Sequence, residues 1–282
     1  MIDSLKIPSI NQVNIQNSIN TNVKIVVVAD LHSCNYGSNQ NELIEKIKKQ
    51  NPDIILFAGD IIDEDSYELP EENAYSVLEQ CAHICHCFFV TGNHEYYNDL
   101  SINNLKEKII GCGVNVLDGK CTDIYIKSTH LCICGVDDLC SGNDIVKIQL
   151  EACAQYIYNK NIDSVYTILI SHRPFMIKKY LNYPFDLIVC GHAHGGQWAI
   201  PGLINGLYAP DEGLFPLHAG GLYYYENKKR NVCKSKTNQL FGRSVTQKLQ
   251  AQIMVVSRGL ARETTKFPRI GNSPELVVIT LY

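Results

Sequence analysis

Five short segments of this chain carry side chains able to hold divalent cations: Asp30-Leu31-His32, Gly59-Asp60-Ile61-Ile62-Asp63, Gly92-Asn93-His94-Glu95, Ser171-His172 and Gly191-His192-Ala193-His194. Carboxylate, imidazole and amide oxygen donors are all present and no thiolate falls among them, a set that suits hard to borderline ions such as Mn, Fe, Zn or Co. One such segment alone is more often a turn or a cap than a ligand set. Five of them in a single chain are hard to produce by accident. On an extended backbone, the i, i+2 spacing of Asp30-x-His32 and His192-x-His194 sends both members of each pair to one side. Gly59, Gly92 and Gly191 are expected to let the main chain turn sharply and pass close to the ions.

The elements around these segments explain why they converge. Each segment follows a short apolar run that reads as a strand, and loops at strand ends are where an α/β scaffold carries function. Val23 to Ala29 is a continuous β-branched run, the pattern of a strand covered on both faces. Ser38 and Asn39 can cap a helix through Gln50, with Leu43, Ile44 and Ile47 on one face. Ile54 to Ala58 repeats the buried strand, Asn73 to Ile84 reads as a helix, and Cys87 to Val90 as a third strand. The short runs Val114 to Leu117, Asp123 to Lys127 and Leu131 to Val136 suggest a meander. A helix over Asn143 to Tyr158 and strands at Val165 to Ile170, Leu187 to Cys190, Ile253 to Ser257 and Leu276 to Leu281 complete an α/β chain of two sheets with outer helices. The first 22 residues read as an extended lead-in, and residues 23–282 as one domain.

Composition narrows the classes. With 45% hydrophobic and 19% charged residues the chain can bury a sizeable core, and a net charge of −4 offers no global attraction for nucleic acid. No nucleic-acid motif is present. Twelve cysteines in 282 residues, without a basic and apolar leader, read as reduced thiols of a cytoplasmic protein, or of an exported or membrane-associated one if an N-terminal segment has been trimmed. Cys81, Cys85 and Cys87 with His83 and His86 match no zinc-knuckle spacing and read as core thiols. His130 and His218 likewise read as packing or surface residues.

The order D-x-H, G-D-x-x-D, G-N-H-E, H, G-H-x-H resembles the calcineurin-like metallophosphoesterase superfamily, over residues 23–282. GHAHGGQW at Gly191–Trp198, the following stretch to Tyr223, and Ser257-Arg258-Gly259-Leu260 resemble the bacterial YkuE- and YaeI-like subgroup. The resemblance implies a four-layer α/β/β/α sandwich of two mixed sheets flanked by helices. It implies one metal held by Asp30, His32, Asp60 and His194, and a second by Asp60, Asn93, His172 and His192, manganese being the first expectation. Phosphomonoesters or phosphodiesters would be hydrolysed by a bridging hydroxide, with a net charge of roughly +1 left at the centre to face a phosphate anion. His94 would bind the phosphoryl group or protonate the leaving group, oriented by Asp63, with Glu95 as a supporting partner. A non-catalytic binding protein on the same fold, or a nuclease, is the alternative. The substrate would be a small phosphoester, including lipid- or envelope-derived ones.

One stretch departs from the subgroup. Residues 226–250 form an insert with Lys228, Lys229, Arg230, Lys234, Lys236, Arg243 and Lys248 against the single acid Glu226. Such a run is usually a solvated loop. The functional reading is a cationic lid or peripheral membrane contact tipped by Leu240 and Phe241.

Overall fold

The computed structural model describes residues 8–16, 21–63, 69–98, 100–160, 165–200, 204–226, 251–262 and 269–282. In chain order the elements are β1 (Ser9–Ile15), β2 (Val23–Val28), α1 (Asn41–Lys48), β3 (Ile54–Ala58), α2 (Glu71–Ala82), β4 (His86–Val90), α3 (Asn93–Tyr97), α4 (Ile102–Gly111) and β5 (Asn115–Val116). There follow β6 (Cys121–Ile126), β7 (Thr129–Gly135), α5 (Asn143–Lys160), β8 (Tyr166–Ile170), α6 (Ile177–Tyr180) and β9 (Leu187–Cys190). The last are β10 (Tyr208–Ala209), β11 (Gly213–Leu214), β12 (Gly221–Tyr225), β13 (Gln252–Val256) and β14 (Glu275–Leu281).

Two six-stranded mixed sheets form, ordered β1-β14-β2-β3-β4-β5 and β12-β13-β9-β8-β7-β6. Three apolar clusters define four layers. Val27, Leu56 and Phe88 meet Ile133, Ile168 and Val189 between the sheets. Val28, Phe57 and Phe89 face Leu43, Val77 and Leu105 of α1, α2 and α4 on one outer side. Cys134, Leu169 and Ile188 face Leu150 of α5 and Tyr180 of α6 on the other. Because β2, β3, β8 and β9 are covered on both faces, they are apolar but for Lys24 and Thr167 and do not alternate. Each fully buried Val, Leu or Ile contributes about 1.5–3 kcal/mol.

Three local expectations are corrected. The proposed meander divides: β5 pairs in parallel with β4 in the first sheet, whereas β6 and β7 form an antiparallel hairpin in the second. Part of the lead-in is a strand, β1, paired in parallel with β14 from the far end of the chain. Its alternating exposure is that of an edge strand covered on one face. Neither Ser38 nor Asn39 caps α1; Gln40 precedes that helix in a left-handed conformation. The Gln40 side chain instead accepts from the Tyr36 N–H and donates to the carbonyls of Cys34 and Asn73. The 226–250 insert lies, apart from Glu226, outside the described residues. Among the described residues no helix is long and apolar enough to cross a membrane.

Candidate metal centre

Strands β2, β3 and β4 are parallel neighbours, as are β8 and β9. Their carboxyl ends deliver all five sequence segments. Asp30 and His32 follow β2, Asp60 and Asp63 follow β3, Asn93 and His94 open α3 just after β4, His172 follows β8, and His192 and His194 follow β9. The i, i+2 argument for the two pairs is overturned in its detail, because these residues are not extended. Asp30, His32, Asp60, His192 and His194 all have φ between 46° and 68°, the left-handed region that Asp and His tolerate better than most residues. The backbone bends there because the post-strand loops hydrogen-bond to one another: the amides of Asp30 and His32 donate to the carbonyls of Gly59 and Asp60.

Donor atoms gather in three overlapping groups at the strand ends: Asp30, His32 and His194; Asp60, His172 and His192; and His32, Asp60 and His94, each with ligand atoms within 4.8 Å of one another. His172 Nε2 lies 3.0 Å from Asp60 Oδ2 and 3.1 Å from His192 Nδ1. His32 Nε2 lies 3.7 Å from the same Asp60 oxygen. Four buried atoms on these strand-end segments have no hydrogen-bond partner among the described residues: Asp30 Oδ2, His32 Nε2, Asn93 Oδ1 and His194 Nδ1. Leaving one such atom unsatisfied costs about 1–3 kcal/mol, and four lone-pair donors orphaned together fit cations. Close approach is built in. A Cβ on Gly92 would meet Asp60 Oδ1 at 2.2 Å, and one on Gly59 would meet His172 Nδ1 at 2.5 Å.

The imidazoles are held in defined orientations. His172 Nδ1–H donates to the Ala58 carbonyl at 2.8 Å, turning Nε2 inward. Asp63 Oδ1 accepts from Nδ1 of His32 at 3.1 Å and from Nδ1 of His94 at 2.9 Å. Burial opposes the Asp63 charge, but these two histidines outweigh it and bring its pKa down to about 2. Burial keeps His194 and His192 neutral, lowering both. At His172 burial also works against the charge, yet the neighbouring Asp60 carboxylate prevails and raises its pKa to about 10. Asp60, despite burial, is held well below the usual carboxylate range by His172 and His94. The Asp60 carboxylate thus favours the protonated form of His172.

That proton has a measurable consequence. With the pKa raised above the ordinary histidine value, the proton is bound throughout neutral pH and leaves only as pH rises through about 10. Metal loading through His172 should therefore expel a proton at pH 7, and apparent affinity should climb with pH. Calorimetric titration in buffers of different ionisation enthalpy measures the proton count. A count of zero at pH 7 removes His172 from the ligand set.

Glu95 has a larger part than its sequence position suggests. Its buried carboxylate accepts from the amides of Asp60 at 3.0 Å, Ile61 at 2.8 Å, Ile62 at 3.1 Å and Gly92 at 2.6 Å. It ties the loop after β3 to the start of α3, and so sets Asp60 against Asn93. Glu95→Gln turns an NH2 group toward two N–H donors. The expected cost is about 2–4 kcal/mol, read as a lower denaturation midpoint in metal-free protein. An unchanged midpoint would show that the strap is not needed.

Arg173, Asp138 and Asp211 were missed from sequence. Arg173 donates to both oxygens of Asp138, at 2.7 and 2.9 Å, and to Asp211. Asp211, in the turn between β10 and β11, is 2.8 Å from His192 Nε2, which leaves Nδ1 facing His172. The signal was faint: an arginine adjoining His172, and one acid in a loop far along the chain. The other histidines lie apart from the centre: His130 pairs with Asp123 and stacks on Tyr125, and His218 contacts Glu212 and Tyr225. His83 and His86 are exposed, and with Cys81, Cys85 and Cys87 they form no donor group among the described residues.

Residues 23–196 match the model of the calcineurin-like phosphoesterases. The chain belongs to that family. An uncharacterized metallophosphoesterase of Campylobacter jejuni is 30% identical over 207 residues, 69% of this chain and 50% of that protein. The phosphodiesterase YaeI of Escherichia coli is 29% identical over 194 residues, 67% of this chain and 66% of its own, in keeping with the subgroup resemblance. Among solved structures, the NAD nucleotidase of Haemophilus influenzae aligns with a TM-score of 0.52 and 17% identity, over 85% of this chain and 45% of that one. That likeness concerns the fold, a family sandwich of two mixed sheets flanked by helices. The chain spans about half the length of its Campylobacter relative. Metal dependence comes with the family, and the donor groups at the strand ends suit it.

Proposed function

We propose that the chain hydrolyses phosphoric esters at a centre of two divalent cations, one held by Asp30, His32, Asp60 and His194 and the other by Asp60, Asn93, His172 and His192. The carrying observation is the set of four orphaned donors, Asp30 Oδ2, His32 Nε2, Asn93 Oδ1 and His194 Nδ1, around a carboxylate that touches both groups. When bound, a pair of such ions supplies Lewis acidity toward phosphoryl oxygens and lowers the pKa of water. Asn93 adds an oxygen without charge, so the centre keeps a positive balance toward an anionic ester.

The chain's own residues do the rest. With Nδ1 donating to Asp63, His94 acts through Nε2. Asp63 stays ionised at working pH and supports the imidazolium. From there His94 can donate to a phosphoryl oxygen, or give its proton to the departing alkoxide and be reprotonated from solvent. Its half-open position suits this, since its ring stands edge-on to His32 at 4.1 Å and yet reaches solvent.

The loop that carries Asp211 also exposes Leu214, Phe215 and Leu217, and Trp198 is exposed four residues beyond His194. Exposed apolar side chains on the loop that reaches the centre through Asp211 favour an ester with an apolar group. The test compares metal-loaded protein on a small chromogenic aryl phosphate and on a phosphodiester bearing an acyl chain. Hydrolysis of either supports the phosphoesterase reading; hydrolysis of neither, by protein with two bound metals, overturns it. Phe215→Ser should lower kcat/KM for the acylated ester by about tenfold, a few contacts' worth of apolar burial, and leave the small substrate unaffected. Equal effects on both would remove the rim from substrate choice.

A further inference from the structure

A second group of metal-capable side chains lies outside the strand-end centre and shares no residue with it. Cys121 on β6 stands opposite Cys134 on β7 in the hairpin register, with their Sγ atoms 2.7 Å apart. Cys132, two residues before Cys134 and on the same face, brings its Sγ to 3.7 Å from that of Cys134. All three sulfur atoms lie within 4.8 Å of one another. From the covering helix α5, Cys153 is fully buried against the same spot. Its Sγ lies 3.9 Å from the carbonyl oxygens of Lys120 and Gly135, and its own carbonyl oxygen lies 3.9 Å from Cys121 Sγ.

Ordinary core packing accounts for buried cysteines one at a time. It does not account for three thiols gathered within 4.8 Å of one another; the Cys121–Cys134 pair, at 2.7 Å, is closer than the about 3.5–4.0 Å at which non-bonded heavy atoms settle and has to part for both sulfurs to hold one ion. A tetrahedral ion with metal–sulfur bonds of about 2.3 Å sets its sulfurs roughly 3.8 Å apart, a spacing that Cys132 and Cys134 already have. Access exists: Cys121 is only partly buried and lines a cleft of about 570 Å³ together with Gly119, Lys120, Thr122 and Tyr156.

We infer that Cys121, Cys132 and Cys134, with the neighbouring Cys153 drawn in from α5 as fourth ligand, form a tetrathiolate site for a thiophilic divalent cation of the zinc class, clasping the β6–β7 hairpin to α5. Binding requires the sulfurs as thiolates, so their protons are released to solvent as the four metal–sulfur bonds form, with no change of oxidation state. Soft donors here and oxygen and nitrogen donors at the strand ends would sort two kinds of metal within one chain.

Cobalt reports the site, because a sulfur-to-cobalt charge-transfer band can arise only where thiolates bind and the strand-end centre has none. Full-length protein, stripped with chelator and kept reduced and anaerobic, should develop that band on titration with Co²⁺ beyond the amount the strand-end centre can hold, and lose it on adding Zn²⁺. Cys132→Ala and Cys153→Ala should each weaken binding by on the order of tenfold or more, while hydrolysis of an aryl phosphate stays at the wild-type rate. Absence of the band in folded, reduced wild-type protein overturns the site, and this reading needs no variant to fold. So does a band that survives both substitutions together. An intact mass two hydrogens lighter, mapped to a Cys121–Cys134 disulfide in protein never exposed to oxidant, would also overturn it and assign the cluster to a covalent cross-link.

Discussion

Asp60→Asn is expected to retain at most one metal ion per chain and to lose turnover beyond detection, more than the roughly 10²- to 10³-fold that follows removal of a single electrostatic donor. Asp60 is the one residue assigned to both ions. Its Oδ2 lies 3.0 Å from His172 Nε2 and 3.7 Å from His32 Nε2, so the two halves of the centre meet on one oxygen. Asparagine preserves shape and can preserve the oxygen that accepts from the His94 amide at 2.9 Å, which keeps the start of α3 in place. What it loses is the bridging charge. The exchanged oxygen becomes an NH2 group that faces the His172 proton. Elemental analysis and aryl phosphate hydrolysis on the same sample decide the matter. Two full equivalents of metal with near wild-type activity would sink the bridging assignment.

The second large effect belongs to His94. His94→Asn should keep both metals and lose rate by about 10² to 10⁴, the usual worth of a positioned acid or base. Leaving-group dependence separates its two possible tasks. If His94 protonates the departing oxygen, the loss shrinks for an activated aryl ester, which needs no proton. Equal losses for good and poor leaving groups assign it to phosphoryl binding. Metal content tests a third possibility, since His94 also lies within ligand reach of His32 and Asp60. A variant short of one metal equivalent would make His94 a ligand.

The candidate centre was legible because its chemistry is written in residue types at strand ends, and the strands themselves are readable. Continuous runs such as Ile25 to Val28 and Ile54 to Ala58 are apolar on both faces because both faces are covered. What could not be read depends on pairing across long sequence distance. Ser9–Ile15 is polar enough to pass for a lead-in, and it is a strand because β14 lies beside it at the other end of the chain. The two-residue β5 is too short for any periodicity and belongs to the first sheet through β4. Asp211 is one acid among the turn residues of a loop until folding sets it against His192. The sulfur cluster depends on hairpin register and on which face of α5 turns inward. Neither is visible in spacing that matches no knuckle.

The five left-handed residues at the centre, Asp30, His32, Asp60, His192 and His194, bear on how the protein survives in a cell. Sparsely populated backbone conformations of this kind cost about 1–3 kcal/mol each and persist only where surrounding structure holds them. Here the holding comes partly from neighbouring loops and, on the proposed reading, from cations that bind the native fold alone and stabilise it by mass action. A newly made chain that has not found its metals keeps the strain without that compensation. On that reading its strand-end loops would open more often, and proteases act on such openings. Metal supply would then govern the lifetime of each molecule as well as its activity, so that a starved cell clears the idle chains first.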